Sequence, residues 1–170
     1  MPIPTRVELQ PYNPDWAHAA QREALRLEAA SNGVITSVHH IGSTAIPGIR
    51  AKPILDLIPV VRDLAAWDSL RPQIEALGYA WWGEFGLPGR RYCTWDNGGA
   101  HKIHLHCYEA GTSEITRRLA FRDHLRRHSA LAQQYEMEKS RCGDLHPLDS
   151  QAYSACKSEW IKRIEAEALA

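Results

Sequence analysis

Neither sign of charge prevails in this chain of 170 residues, where 20 Lys and Arg stand against 20 Asp and Glu. That balance excludes the strong global field that steers a protein onto nucleic acid or anionic lipid, and the cations are dispersed instead of forming one long stripe. Long apolar runs are missing as well. No stretch approaches the roughly 18 apolar residues of a membrane-spanning helix. The start, Met1-Pro2-Ile3-Pro4-Thr5-Arg6, has no basic segment followed by an apolar core. A cytoplasmic protein without a membrane partner is the expectation. Paired cysteine motifs are absent too: Cys93, Cys107, Cys142 and Cys156 show neither a C-x-x-C pair nor zinc-finger spacing, so free thiols are expected. Two catalytic signatures are also lacking. Gly42-Ser43-Thr44 has no flanking glycines of a nucleophile elbow and does not end in the Gly-Lys-Ser of a P-loop, which argues against a serine hydrolase and a P-loop ATPase.

What is present suits one domain over residues 1–170, since a chain of this length buries roughly two thirds of its unfolded surface. Asn13-Pro14 predicts a helix start, with Trp16, Ala20, Ala24 and Leu27 at helical spacing and Asn32-Gly33 as its stop. Residues 34–41 read as a strand running into a loop at 42–48. Residues 53–61 read as a second strand, whose Pro59 predicts an edge position for its far end. Trp67, Leu70, Ile74 and Leu77 predict one amphipathic helix ended by Gly78. A short strand at 79–82 precedes a hairpin of strands 91–95 and 101–108 around Asp96-Asn97-Gly98-Gly99. The remainder reads as helical, with a break near Ser129 and a last helix capped by Asp149 or Ser150.

The chemistry concentrates around the first loop. Gly42 permits a backbone shape closed to other residues, and Ser43 and Thr44 add hydroxyls to the amides of a tight turn, an arrangement that cradles phosphate oxygens. Lys52 adds a cation just before the second strand. Asp56 interrupts that strand's apolar run and needs a cation, a donor network or solvent. His104 and His106 lie two apart, so they leave one face of their strand. With Asp56 they would make a metal set suited to zinc, iron, nickel or manganese more than to magnesium. His40, at the mouth of the loop, is the candidate proton carrier. His39 is expected to point away and is left out.

The run His40-Ile41-Gly42-Ser43-Thr44-Ala45-Ile46-Pro47-Gly48-Ile49-Arg50-Ala51-Lys52-Pro53-Ile54-Leu55-Asp56 resembles the signature of the GrpB family, which also occurs as a domain attached to some dephospho-CoA kinases. The resemblance continues through Tyr12-Asn13-Pro14-Asp15-Trp16, Arg90-Arg91-Tyr92, His104-Leu105-His106 and Phe121-Arg122-Asp123-His124. The family in turn looks like the DNA polymerase beta type nucleotidyltransferase superfamily. That implies an α+β fold, with a nucleotidyltransferase-like mixed sheet flanked by helices and a helical C-terminal region. It also implies nucleotide phosphates gripped at Gly42 and Ser43, and carboxylates holding divalent metal from Asp56 onward. Ile58 stands where the second carboxylate would be. Arg91, Arg122, Lys139 and Lys157 are the further family-matched cations expected on a phosphate-facing wall, with Tyr153 as a stacking or hydroxyl contact. The implied activity is binding of a nucleotide or phosphorylated small molecule, and nucleotidyl transfer with a divalent ion. The competing functions are a single-metal hydrolase or lyase using Asp56, His104 and His106, and a nonenzymatic module that docks CoA or a nucleotide. A homodimer is an allowed assembly.

Overall fold

The structure, a computed structural model, describes residues 3–170. Helix α1 (Asp15–Ala30) begins where expected, because the Asn13 side chain accepts the Asp15 amide at 2.9 Å. It ends where Asn32 and Gly33 take left-handed φ values of 50° and 80°. Strand β1 (Ile35–Ile41) follows, then a single 3-10 turn at Ser43–Ala45 and strand β2 (Ile54–Val61). Two short helices, α2 (Leu64–Ser69) and α3 (Arg71–Ala76), lead to β3 (Ala80–Trp81) and to the hairpin of β4 (Arg90–Trp95) and β5 (Lys102–Glu109). Three helices close the chain: α4 (Ser113–Arg127), α5 (Ser129–Leu145) and α6 (Ser150–Leu169). Asp149 caps α6, its carboxylate accepting the amides of Gln151 and Ala152 at 3.0 Å each.

The strands form one mixed sheet in the order β1-β2-β5-β4-β3, with β2 and β5 parallel and every other pair antiparallel. Alternation along the strands sends Leu55, Leu57, Val61, Ile103, Leu105 and Cys93 to one face. There they pack against Trp16, Ala20 and Leu27 of α1 and against Trp67, Leu70 and Ile74. A buried hydrogen bond of 2.5 Å from the Tyr79 hydroxyl to Glu23 ties α1 to the chain beyond α3. On the opposite face, Ile41, Ile58, Val60 and Tyr108 meet Ile115 and Leu119 of α4. Helices α5 and α6 stack on α4 through Phe121, Leu125, Tyr135 and Ile164. These helices cover only part of the second face, and the uncovered part bears Asp56. Among the described residues no helix is long and apolar enough to cross a membrane.

Three expectations need correction. Pro59 does not mark an edge, since β2 lies between β1 and β5. The sheet accommodates its missing N–H where the parallel pairing skips from Leu57↔Leu105 to Val60↔Tyr108. The helix expected from Trp67 to Leu77 is broken at Leu70, because Pro72 in the first turn of α3 has no amide to give and its ring would meet the carbonyl of a continuous helix. Its apolar stripe survives the break.

The thiols are also not all free. Cys142 on α5 and Cys156 on α6 form a disulfide with Cα atoms 5.8 Å apart, while Cys93 and Cys107 are free and buried. The pairing depends on two helices folding back on each other, which motif spacing does not register. The bridge closes a loop of 14 residues' separation, for which loop-closure entropy predicts about 3 kcal/mol of stabilisation. Cys156→Ser should lose about that amount in urea unfolding, and a reductant should lower the parent protein equally while leaving the variant unchanged.

Candidate functional site

Strand pairing builds the floor of the site. Asp56 is the register partner of His104, while Thr94 and Tyr92 are partners of His104 and His106, so all five side chains leave the same face. His106 Nε2 donates to Asp56 Oδ1 at 2.9 Å, and His104 Nδ1 lies 3.9 Å from the same oxygen. The Tyr92 hydroxyl is 3.1 Å from His104 Nδ1. Behind His106 the buried Arg90 brings Nη1 to 3.5 Å from Nδ1. A guanidinium only donates, so Nδ1 must accept and the His106 proton sits on Nε2, facing the carboxylate.

These contacts set the charges. Burial alone would raise Asp56, but the His106 hydrogen bond, with the His104 and Lys52 charges, outweighs it and holds the carboxyl at about 2. Burial drives His104 down to about 4 against the pull of Asp56, and lowers His106 as well. At neutral pH the floor is one carboxylate beside two neutral imidazoles.

The loop and α6 supply the wall. Gly42 has φ 74° and ψ −174°, and a Cβ on it would lie 2.6 Å from Asp56 Oδ2, so only glycine lets the turn pass over the carboxylate. Ser43 donates to the Tyr135 hydroxyl at 3.3 Å. On α6, Tyr153 is bracketed by two ammonium groups, Lys157 at 4.4 Å and Lys52 at 5.0 Å from its ring centre. Burial, above all, brings both lysines down to about 8; for Lys52 the nearby Lys157 adds to the fall. Between floor and wall lies a cleft of about 750 Å³, lined by Ser43, Lys52, Asp56, His104, Tyr153 and Lys157 among others.

Several candidates stand elsewhere. His40 pairs with Leu57, not Asp56, and so shares the α1 face. Its Nε2 donates to Thr44 Oγ1 at 2.9 Å, and burial pushes it to about 4. Thr44 spends its own proton on the Ile54 carbonyl, so its hydroxyl braces the loop from beneath. His39, set aside on pleat grounds, is on the Asp56 face opposite Ile58, and burial, helped by Arg122, lowers its pKa. Arg91 pairs with Cys107 on the α2 face, where two hydrogen bonds of 2.7 and 3.0 Å hold it to Asp68. Arg122 binds the His40 carbonyl and Asp123, anchoring α4 to β1. Lys139 is buried under the loop, donating to the Arg50 carbonyl, and burial lowers it to about 7. Sequence reasoning missed Arg90 and Phe85, both cleft-lining. The hairpin phase would have found Arg90, since it counts residues 90, 92 and 94 onto the face of His104 and His106.

The donor set does not suit a pair of magnesium ions. Two-metal chemistry needs several hard oxygens, yet the cleft offers Asp56 and an Asp96 already paired with Lys102 at 3.0 Å, and Ile58 is fully buried among Ile41, Val60 and Tyr108. Glu138, Cys142 and Cys156 bring their ligand atoms within 4.8 Å of one another between α5 and α6. There the sulfurs are joined, and the Arg141 guanidinium already sits 2.6 Å from Glu138 and 3.6 and 3.7 Å from the sulfurs.

Comparison with known proteins agrees with this architecture. The sequence profile of the family described as GrpB protein matches residues 6–167. UPF0157 protein YqkA of Bacillus subtilis (strain 168) is 40% identical over 163 residues, which cover 96% of this chain and 47% of YqkA, so the chain spans about half that relative's length. The crystal structure of conserved protein GrpB from Enterococcus faecalis superposes with a TM-score of 0.88 at 37% identity, covering 95% of this chain and 97% of that one. Terminal uridylyl transferase 4 from Trypanosoma brucei with bound CTP shares the fold at a TM-score of 0.51 and 14% identity, over 84% of this chain and 47% of that one. The chain belongs to the GrpB family.

Two measurements probe the site. Gly42→Ala, strained at positive φ and driven into Asp56, should cost about 1–3 kcal/mol in chemical unfolding. The unfolding free energy should also fall as pH drops from about 6.5 to about 4, because the unfolded chain takes up the His104 proton before the folded one does. Stability versus pH for His104→Gln should be flatter across that window.

Proposed function

We propose that this GrpB-family protein binds a nucleotide or another phosphorylated small molecule in the cleft over Asp56, with phosphates against Ser43, Lys52 and Lys157. The observation that carries this reading is the pair of half-buried lysines, Lys157 and Lys52, at 4.4 and 5.0 Å from the Tyr153 ring centre on the wall opposite the floor. Two ammonium groups held down to about 8 in one cleft face Asp56 and no other free carboxylate, since the Asp96 that also lines it pairs with Lys102 at 3.0 Å, and an anion at the lysines would supply the counter-charge. The fold likeness to a uridylyl transferase holding CTP supports a nucleotide as ligand. Nucleotidyl transfer is the reaction that likeness suggests. The floor does not supply the oxygens that a two-magnesium transfer needs.

A second reading is a single transition ion held by Asp56, His104 and His106. It is favoured by the approach of both imidazoles to Asp56 Oδ1, at 2.9 and 3.9 Å. It requires His106 to free Nε2 of its proton, against the donor that Arg90 presents to Nδ1. Elemental analysis of protein purified without chelator discriminates. Near-stoichiometric zinc, iron, nickel or manganese that disappears in His104→Ala would move the assignment to metal chemistry.

For the leading reading, calorimetry with ATP, CTP, UTP and CoA is the direct test. Lys157→Ala should weaken the best ligand about tenfold or more, the loss of one charge-assisted contact. Binding at pH 8.5 should draw protons onto Lys52 and Lys157, seen as a heat that changes with the buffer's ionisation enthalpy. Absence of binding by all four ligands would sink the proposal.

A further inference from the structure

We propose that Phe85, backed by Tyr92, forms a stacking seat for a flat aromatic group, so that the ligand class is nucleotides and not sugar phosphates or inorganic polyphosphates. The inference rests on the phosphate reading above and adds the other end of the molecule. Phe85 has φ 48°, a left-handed conformation that a bulky residue rarely adopts. Its connection is built to hold that shape. Gly83, Gly86 and Gly89 take φ values of 64°, 83° and 81° around it. The buried Arg90 guanidinium then clamps the segment, with Nη2 donating to the Phe85 carbonyl at 2.8 Å and Nε to the Glu84 carbonyl at 3.2 Å. The Glu84 carboxylate closes the loop on the Gly89 amide at 2.6 Å.

The outcome is a ring laid against the floor. Phe85 stacks on Tyr92 with centres 5.1 Å apart and planes at 22°, and Tyr92 lies 5.4 Å from the His106 ring. Phe85 remains half-buried and lines the same cleft as Lys52 and Lys157. One guanidinium therefore orders two things: Arg90 fixes the loop that presents Phe85 and orients the His106 that holds Asp56.

The two ends are separated along the sheet. Lys52 precedes Ile54, the partner of Lys102, whereas Tyr92 is the partner of His106. Four residues of β5 span about 13 Å at roughly 3.3 Å each. Lys52 and Lys157 at one end, Phe85 at the other and Asp56 between them suit a nucleotide lying along the strand, its phosphates at the lysines and its base on Phe85. Stacking tolerates any base, because each has a π face.

The test compares ATP and CTP with ribose 5-phosphate and inorganic tripolyphosphate on the full chain by calorimetry. Phe85→Ala should weaken both nucleotides tenfold or more and leave tripolyphosphate within twofold, while Phe85→Trp should restore nucleotide affinity. Circular dichroism and thermal unfolding of each variant establish that it is folded. Equal loss for nucleotides and tripolyphosphate, or no loss for either, would overturn the seat. Tripolyphosphate binding to the parent protein as tightly as ATP would overturn it while leaving the phosphate reading intact. If the parent protein bound none of the four, both would fall together.

Discussion

The hydrogen bond from His106 to Asp56 is the constraint around which the second face of the sheet is organised. A carboxylate two residues into an otherwise apolar strand is costly to bury unless its charge is met by donors. Here the donor stands on the adjacent parallel strand, and its tautomer is set from behind by Arg90. Gly42 has to be glycine because the carboxylate occupies the space a Cβ would need. The uncovered patch of sheet, the turn above it and the loop before β4 thus all trace to one ionised group and the residues that keep it so.

The wall opposes this floor with surplus positive charge. Lys52 and Lys157 each lose basicity through burial, and Lys139, beneath the loop, loses more. Proteins seldom keep three ammonium groups this close without use, since each desolvated cation subtracts from folding stability at neutral pH. Helix α6 bears two members of the wall, Tyr153 and Lys157, and its position depends on the Asp149 cap and the disulfide to α5. Stability and site geometry are therefore coupled through a single helix, although neither the cap nor the bridge touches the cleft.

Much of this was legible in the residue pattern, and the failures have a common cause. The strands, the hairpin at Asp96-Asn97-Gly98-Gly99, the helical C-terminal region and the shared face of His104 and His106 follow from local rules, whereas Asp56 joins that pair through the parallel pairing of β2 with β5. A strand's side chains alternate with period two, so a one-residue error of phase moves a side chain to the other side of the protein. The family match puts Arg91 on the wall, yet Arg91 lies on the α2 face and Arg90 is the arginine behind the floor; likewise the register puts His40 beside Leu57 and His39 on the Asp56 face. Pro59 predicts an edge that the sheet order does not have, and Pro72 breaks a helix that the apolar spacing alone predicts to be continuous. What each break did depended on neighbours that the local sequence does not name.

By itself the sequence determined which segments alternate, where turns must fall, which residue must be glycine and which charged groups lack a cheap way to be buried. These are properties of a residue and its near neighbours along the chain. Only the tertiary structure decided that Arg90 and not Arg91 backs the histidine, that Cys142 meets Cys156, and that Lys52 and Lys157 flank one tyrosine from segments about a hundred residues apart. Each of those depends on strand register or helix docking, where the energy comes from contacts between distant residues and no local preference selects the partner.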